Sequence, residues 1–418
     1  MTKQQTPSKR VIYTTWFILS LFFAYQYFIR IGPSIMISEL RTAFNLSAVQ
    51  FALIPAIFAY VYGMIQIPVG LFLDHFGLKN TAVFSIFSCS LGTALFYSSN
   101  SIELVYFSRI LIGAGAAASL LSALKLIGDY VPRRYQGTLM GLTLAIGTVG
   151  ALLAGKPQTY LMQQIGWREA GFLSSIAGFV LLFAAIFFIP ATEKRKQTES
   201  YKNTKNSIIA SLKLVLKSRP ILVYSLLTFG IYGPFSAISD TWGVALLMEK
   251  YSMTRSAAAE SVAYTFLGLC IGSFIVPAFF EHIKREKLGI QLCIVLMGTC
   301  IAILIYSTTL SYFTIDTLFF FLGFFSGSEI LCFSAISKAA QDTTRGLSLG
   351  FTNTLNMTGS ALLMHLIGML LDYFWSGGVS EIGLRIYTSS AYLFSLSLLP
   401  IVYGLAFLLS LTLIKLKD

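Results

Sequence analysis

Residues 49–98 read Val49-QFALIPAIFAYVYGMIQIPV-Gly70-LFL-Asp74-HF-Gly77-L-Lys79-Asn80-TAVFSIFSCSLGTALFY-Ser98. Two apolar runs of helical length, about 49–72 and 80–98, flank a short polar turn holding an Asp, a His and a Lys. Each run is long enough to cross a hydrocarbon core of about 30 Å at helical rise. A helix apolar on every face needs lipid or a large protein interior around it. The rest of the chain decides for lipid.

Apolar residues make up 56% of the 418, and charged residues only 11%. An average soluble domain carries roughly 25% charge, so no soluble fold of this size could clothe its exterior. The mean hydropathy is +0.74. Further spans are expected at about 12–38, 102–128, 138–160 and 169–190, then 221–247, 258–280, 288–308, 313–338, 347–371 and 388–414. Twelve spans place both termini on one side and leave no room for a soluble catalytic domain.

The net charge of +12 is topogenic rather than a nucleic-acid footprint. Twenty-one Lys and Arg fall on the side of the termini and five opposite: Arg41, Arg168, Lys250, Arg255 and Arg385. The positive-inside bias therefore predicts cytoplasmic termini. The five cysteines all sit in apolar runs without a CxxC pair, and the three histidines are scattered; no metal, disulfide framework or cofactor is expected. The polar start MTKQQTPSKR runs into the first span with no small-residue cleavage site, so no cleavable signal peptide is expected. Three regions are expected: 1–190 and 220–418, six spans each, and a basic linker, 191–219. In the linker Ile208, Leu212, Val215 and Leu216 form one stripe, the pattern of an amphipathic helix on the cytoplasmic leaflet.

The two halves repeat. Gly137 and Gly141 match Gly346 and Gly350, and Gly150 matches Gly359, all at an offset of 209 residues. An offset near half the length with the same membrane sense implies two six-helix bundles related by a pseudo-twofold axis along the membrane normal. Before the second span, Ser47-Ala-Val-Gln50 has the form of a capping box.

In this context the turn Gly70-LFL-Asp74-HF-Gly77-L-Lys79 resembles the hallmark loop of the major facilitator superfamily. Arg109-ILI-Gly113 in span four resembles that family's second motif, with Ile112 where a Gln is usual. The second copy of the loop has drifted to Pro277, Glu281 and Lys284, and span five has Gly147-TV-Gly150-ALLA-Gly155 instead of the Gly-Pro stretch of drug exporters. The resemblance implies the twelve-helix fold, secondary transport by alternating access, and gating roles for Gly70, Asp74, Gly77, Lys79, Arg109 and Gly113. Tyr25-QYFI-Arg30 is similar to the segment of organic-anion and organophosphate members in which an Arg meets the substrate anion. The intraphagosomal amino-acid importers are similar in general pattern.

Charges inside spans are costly, on the order of 3 kcal/mol on insertion scales, and face a partner or a cavity. Arg30 reads as a bidentate clamp on a carboxylate. Asp240 lies at comparable depth on span seven and reads as a gate partner of Arg30, a substrate-ammonium acceptor or a proton carrier. Glu329, among small residues in span ten, reads as a proton-coupling or binding group. Gln26, Tyr27, Tyr62, Trp242, Tyr264 and Asn356 are candidate lining, and Lys156 and His365, repeat mates in spans five and eleven, possible charged lining.

No nucleophile–base pairing, metal spacing or GxxxxGK[ST] loop appears, so neither an enzyme nor an ATP-driven pump is expected. The expected partners are a small solute, protons and the bilayer, with no nucleic acid, in a monomer of a bacterial inner membrane. A zwitterionic or carboxylate solute fits the interior charges. Amino acids or short peptides come first; an organic anion or siderophore, or a non-transporting receptor on the same fold, is the alternative.

Overall fold

A computed structural model describes residues 8–190, 212–341, 344–380 and 383–415. Twelve helices among them are long and apolar enough to span a membrane. They are α1 (Lys9–Ile35), α2 (Ala48–Gln66), α3 (His75–Ser98), α4 (Ile102–Tyr130), α5 (Arg134–Ile165) and α6 (Trp167–Phe188). The second set is α7 (Arg219–Tyr251), α8 (Arg255–His282), α9 (Glu286–Tyr306), α10 (Tyr312–Ala339), α11 (Arg345–Tyr373) and α12 (Ser389–Leu413). Large apolar side chains such as Phe84, Phe187 and Phe313 lie open on their surfaces, which water would penalise and lipid does not. Of the linker, residues 191–211 lie outside the described residues. Residues 212–217 are helical, with Val215 buried and Leu216 exposed.

The chain divides into two compact units. One contains residues 1–31 and 64–196, the other 32–63 and 197–418. The division cuts α1 just before Pro33 and α2 at Gly63.

In the first unit, α1 and α5 are held by Ser20 Oγ and Thr143 Oγ1, 3.3 Å apart, with Trp16 Nε1 donating to Thr143 at 3.0 Å. Gly150 lets α1 approach so closely that a Cβ there would lie 2.0 Å from the Ala24 carbonyl oxygen. Two spans are interrupted. α4 breaks at Ala117–Ala118, and α5 breaks between Leu153 and Lys156, where Pro157 fits the first turn of the new segment.

The hallmark turn is more helical than its polar composition implied. Helical geometry continues from Ala48 to Ser98 and is interrupted only at Gly77, where φ is 78° and ψ 167°. That positive φ is the reason for a glycine there. Asn80 and Thr81 side chains donate to the carbonyls of Phe76 and Phe72 across the interruption.

The second unit repeats the first unit's helix contacts. Ser225 Oγ and Thr352 Oγ1 join α7 to α11 at 2.8 Å. A Cβ at Gly359 would lie 2.4 Å from the Phe229 ring of α7. One departure and one further repeat follow, the α10 break matching that of α4 at Ala117–Ala118. α7 carries a π-helical turn at Ile238–Trp242, and α10 breaks at Gly327–Ser328. This unit also includes the short helix Ile37–Phe44 and α2 as far as Gly63. Ser47 and Gln50 form the reciprocal cap at the start of α2, with Ser47 N–H donating to Gln50 Oε1 at 3.0 Å and Gln50 N–H to Ser47 Oγ at 3.4 Å.

Candidate functional site

In the first unit Gln26 and Arg30 share a face of α1, one turn apart. Arg30 is only 6% exposed and its guanidinium carbon stands 5.8 Å from the Tyr27 ring centroid. The half-buried Tyr27 ring packs edge-on against Phe23 at 5.0 Å, and both rings lie over Gly147 of α5. Gln26 is buried, and its amide nitrogen has no hydrogen-bond partner among the described residues. A long basic side chain, an aromatic face and a spare amide donor therefore come together on one stretch of α1.

Arg109 has a structural reason to be here. Pro33 has no N–H, so the carbonyl of Ile29, four residues back, lacks its helical donor. Arg109 Nη1 donates to that oxygen at 3.0 Å, and Nη2 to the Arg30 carbonyl at 3.5 Å. The charge from α4 thus satisfies the carbonyl that Pro33 leaves open, next to Arg30. Gly113 is buried one turn further along α4. Gly70 lies open on its surface, Lys79 is half-buried, and the Asp74 side chain lies outside the described residues. Lys156 is exposed at the first position after the α5 break.

In the second unit Asp240 is fully buried in the π turn of α7. Ser236 donates to its carboxylate, and Ser360 of α11 donates in turn to Ser236 at 2.6 Å. The π turn shifts helical register by one residue and is the kind of local irregularity found at functional positions. The serines were not among the residues singled out by sequence. Small hydroxyls are common in spans, and only the fold shows that these two line up on an acid.

Trp242, two residues on, is buried, donates to the Met364 carbonyl at 3.1 Å, and meets Phe51 at 5.8 Å. Tyr62 is buried with its ring 5.8 Å from Phe58. Glu329 opens the second segment of α10, just past the break, and accepts a hydrogen bond from the buried Asn356 of α11. Asn356 Oδ1 has no partner among the described residues. Tyr264 and His365 are half-buried on α8 and α11, and His365 Nδ1 likewise has no partner among them.

A further cluster of this unit escaped the sequence reading. At the Ala48 end of α2, Asp372 accepts from the Ala48 N–H at 3.2 Å, the Val49 N–H at 3.0 Å, Arg385 Nη1 at 3.1 Å and the Tyr387 hydroxyl. Burial, and after it the bond to Asp372, push the Tyr387 phenol up to about 12, so it stays protonated at neutral pH. Arg41 donates to the Arg385 carbonyl at 2.6 Å and the Leu46 carbonyl at 3.2 Å, and lies 4.9 Å over the Tyr387 ring. A cavity of about 400 Å³ adjoins it, lined by Ser38, Arg41, Glu249, Arg385, Tyr387 and Tyr392 among others. Asp372 lies one residue beyond the apolar run expected for α11, which is why the charge inventory of the spans missed it.

A family model described as Major Facilitator Superfamily matches residues 16–364. The chain belongs to the major facilitator superfamily. It is a multi-pass membrane transporter and not an enzyme. Among relatives of this superfamily carrier, the hexuronate transporter of Bacillus subtilis (strain 168) is 24% identical over 383 residues, covering 85% of this chain and 87% of that one. The cis,cis-muconate transport protein of Acinetobacter baylyi is 23% identical over 405 residues, covering 93% and 94%. Among solved structures, a bacterial homologue of the human lysosomal transporter Spinster superposes with a TM-score of 0.74 at 15% identity, covering 98% and 99%. The nucleoside transporter NupG superposes with a TM-score of 0.76 at 12% identity, covering 96% and 99%. These two carry the fold and nothing about cargo.

Proposed function

We propose that this carrier moves a small organic acid anion, recognised by Arg30, and couples its movement to protons through Glu329. The observation that carries the reading is Arg30 itself: a guanidinium inside a span, almost wholly buried, beside the Tyr27 face and the spare amide donor of Gln26. Its charge is permanent, its planar fork suits a carboxylate, and at this depth it is retained at a cost. The relatives named for hexuronate and muconate support a carboxylate cargo over the amino acid or peptide that the mixed interior charges first suggested. In this reading Gln26 and Tyr27 of the first unit, and Tyr62, Trp242, Tyr264 and Asn356 of the second, are recognition residues, Asp240 is a second titratable group, and the Gly70–Lys79 turn with Arg109 serves gating. The distribution of basic residues supports termini on the cytoplasmic face of a bacterial inner membrane.

Uptake into proteoliposomes containing the purified protein tests the cargo, with D-glucuronate, cis,cis-muconate and an amino-acid mixture as probes. Accumulation of a carboxylate is expected, and Arg30→Lys should weaken its binding by about 2 kcal/mol, some thirtyfold, by losing the two-toothed contact. Accumulation of amino acids alone, or a well-folded Arg30→Lys protein with parental affinity, overturns the reading.

Glu329 supports coupling because it meets Asn356 at a helix break, where a proton could be taken up without unwinding a turn. Glu329→Gln should abolish accumulation driven by a pH gradient and leave counterflow exchange intact. Gradient-driven uptake equal to the parent's would remove Glu329 from the coupling role.

A further inference from the structure

The segment 32–63 is covalently continuous with the first unit through both α1 and α2, yet its contacts place it in the second. The polar part of that attachment centres on one carboxylate. Asp372, at the end of α11, accepts from the first two N–H groups of α2, which have no partners within their own helix. Tyr387 and Arg385 hold the carboxylate from the far side, and the Ala48 N–H also reaches the Tyr387 hydroxyl at 2.8 Å. Arg41 crosses from the short helix Ile37–Phe44 to the Arg385 carbonyl, and Arg255 pairs with Glu39 of the same short helix. After one crossing of the membrane by α1, all of these lie on the face opposite the termini.

We propose that Asp372 is a gating carboxylate: a releasable cap on α2 that holds segment 32–63 against α11 in one state of the carrier and lets go of it in the other. Three features fit a releasable cap better than a permanent one. The cluster is wet at its rim, since Asp372 and Arg385 side chains are 15% and 40% exposed and the 400 Å³ cavity adjoins it. Water can therefore take over the α2 amides when the carboxylate leaves. Arg385 and Tyr387 travel on the same stretch of chain as Asp372, so the carboxylate remains satisfied after release. Deeper along the same face, α11 meets α2 through Gly368, where a Cβ would come within 2.7 Å of the Ala52 methyl. A seam of small residues offers little interdigitation to hold the two helices once the polar cap opens.

The test attaches spin labels at Ala43→Cys and Val379→Cys, both exposed, in a full-length chain whose native cysteines are replaced, and measures their separation by double electron–electron resonance in nanodiscs. Asp372→Ala and Asp372→Asn should each add a longer-distance population, shifting the ratio of the two populations by roughly tenfold, the effect of losing one charge-assisted bond. Asp372→Glu should restore most of the short-distance population. A merely structural cap predicts otherwise: a lower melting temperature with an unchanged distance distribution in the folded, monodisperse fraction. That result overturns the proposal. If the Asp372 variants do not fold, Tyr387→Phe removes a single donor and should show the same shift to a smaller degree; no shift there overturns it equally.

Discussion

α1 with α5, and α7 with α11, are two versions of one helix pair. Both use a Ser–Thr contact, Ser20 with Thr143 and Ser225 with Thr352, and both bring the helices close over a glycine, Gly150 and Gly359. What differs is the chemistry placed in each. α1 carries Arg30 close to Pro33, whose orphan carbonyl partner, Ile29, is taken by Arg109. α7 carries Asp240 in a π turn, joined to α11 through Ser236 and Ser360. The glycine and hydroxyl positions are shared by the two copies while the charged positions differ, so a charge without a counterpart in the other copy is the better guide to function.

The largest effect should come from breaking the shared packing. Gly150→Leu drives a side chain into the α1 backbone at Ala24, which cannot yield, whereas Gly359→Leu meets the Phe229 ring, which can rotate. The first should cost several kcal/mol and abolish the monodisperse species on size-exclusion chromatography; the second should lower the melting temperature yet leave folded protein. Equal losses from both would mean that the two pairs are less alike than their glycines suggest.

The charges come next, with Arg30→Lys changing affinity and Glu329→Gln changing coupling while each leaves the fold standing. The smallest effect is expected from the hydroxyl pairs. Ser20→Ala and Ser225→Ala should each cost about 1 kcal/mol, the ordinary worth of one hydrogen bond, and similar amounts in both copies. A smaller loss for Ser20 in thermal unfolding would point to the Trp16 donor, which still serves Thr143 after the substitution.

The spans, the repeat and the cap at Ser47–Gln50 were legible because each is a local pattern of apolar length, glycine spacing or a four-residue exchange of donors. Arg30 and Glu329 were legible as charges where lipid penalises them. The π turn around Asp240 was not, since ISDTW has nothing in its composition that distinguishes π from α geometry. Neither was the break at Gly327–Ser328, where glycine and serine in a span read equally well as close packing. The Asp372 cluster was hidden for a different reason: its partners Ala48 and Val49 lie more than 300 residues away, and a single acid at a span end reads as a solvated terminus. The second titratable group of α7 was visible; the two serines that hold it were not.

The contact between Arg109 and the Ile29 carbonyl has a bearing on how the chain is made. α4 brings a permanent cation into the bilayer at an insertion cost of about 3 kcal/mol. α1 is made first, and Pro33 leaves in it a carbonyl that no amide of its own can reach. In the folded first unit the costly group and the unsatisfied one answer each other, and α4 meets α1 through a charge-assisted bond. Arg109 therefore satisfies a backbone group that would otherwise sit unpaired within the membrane.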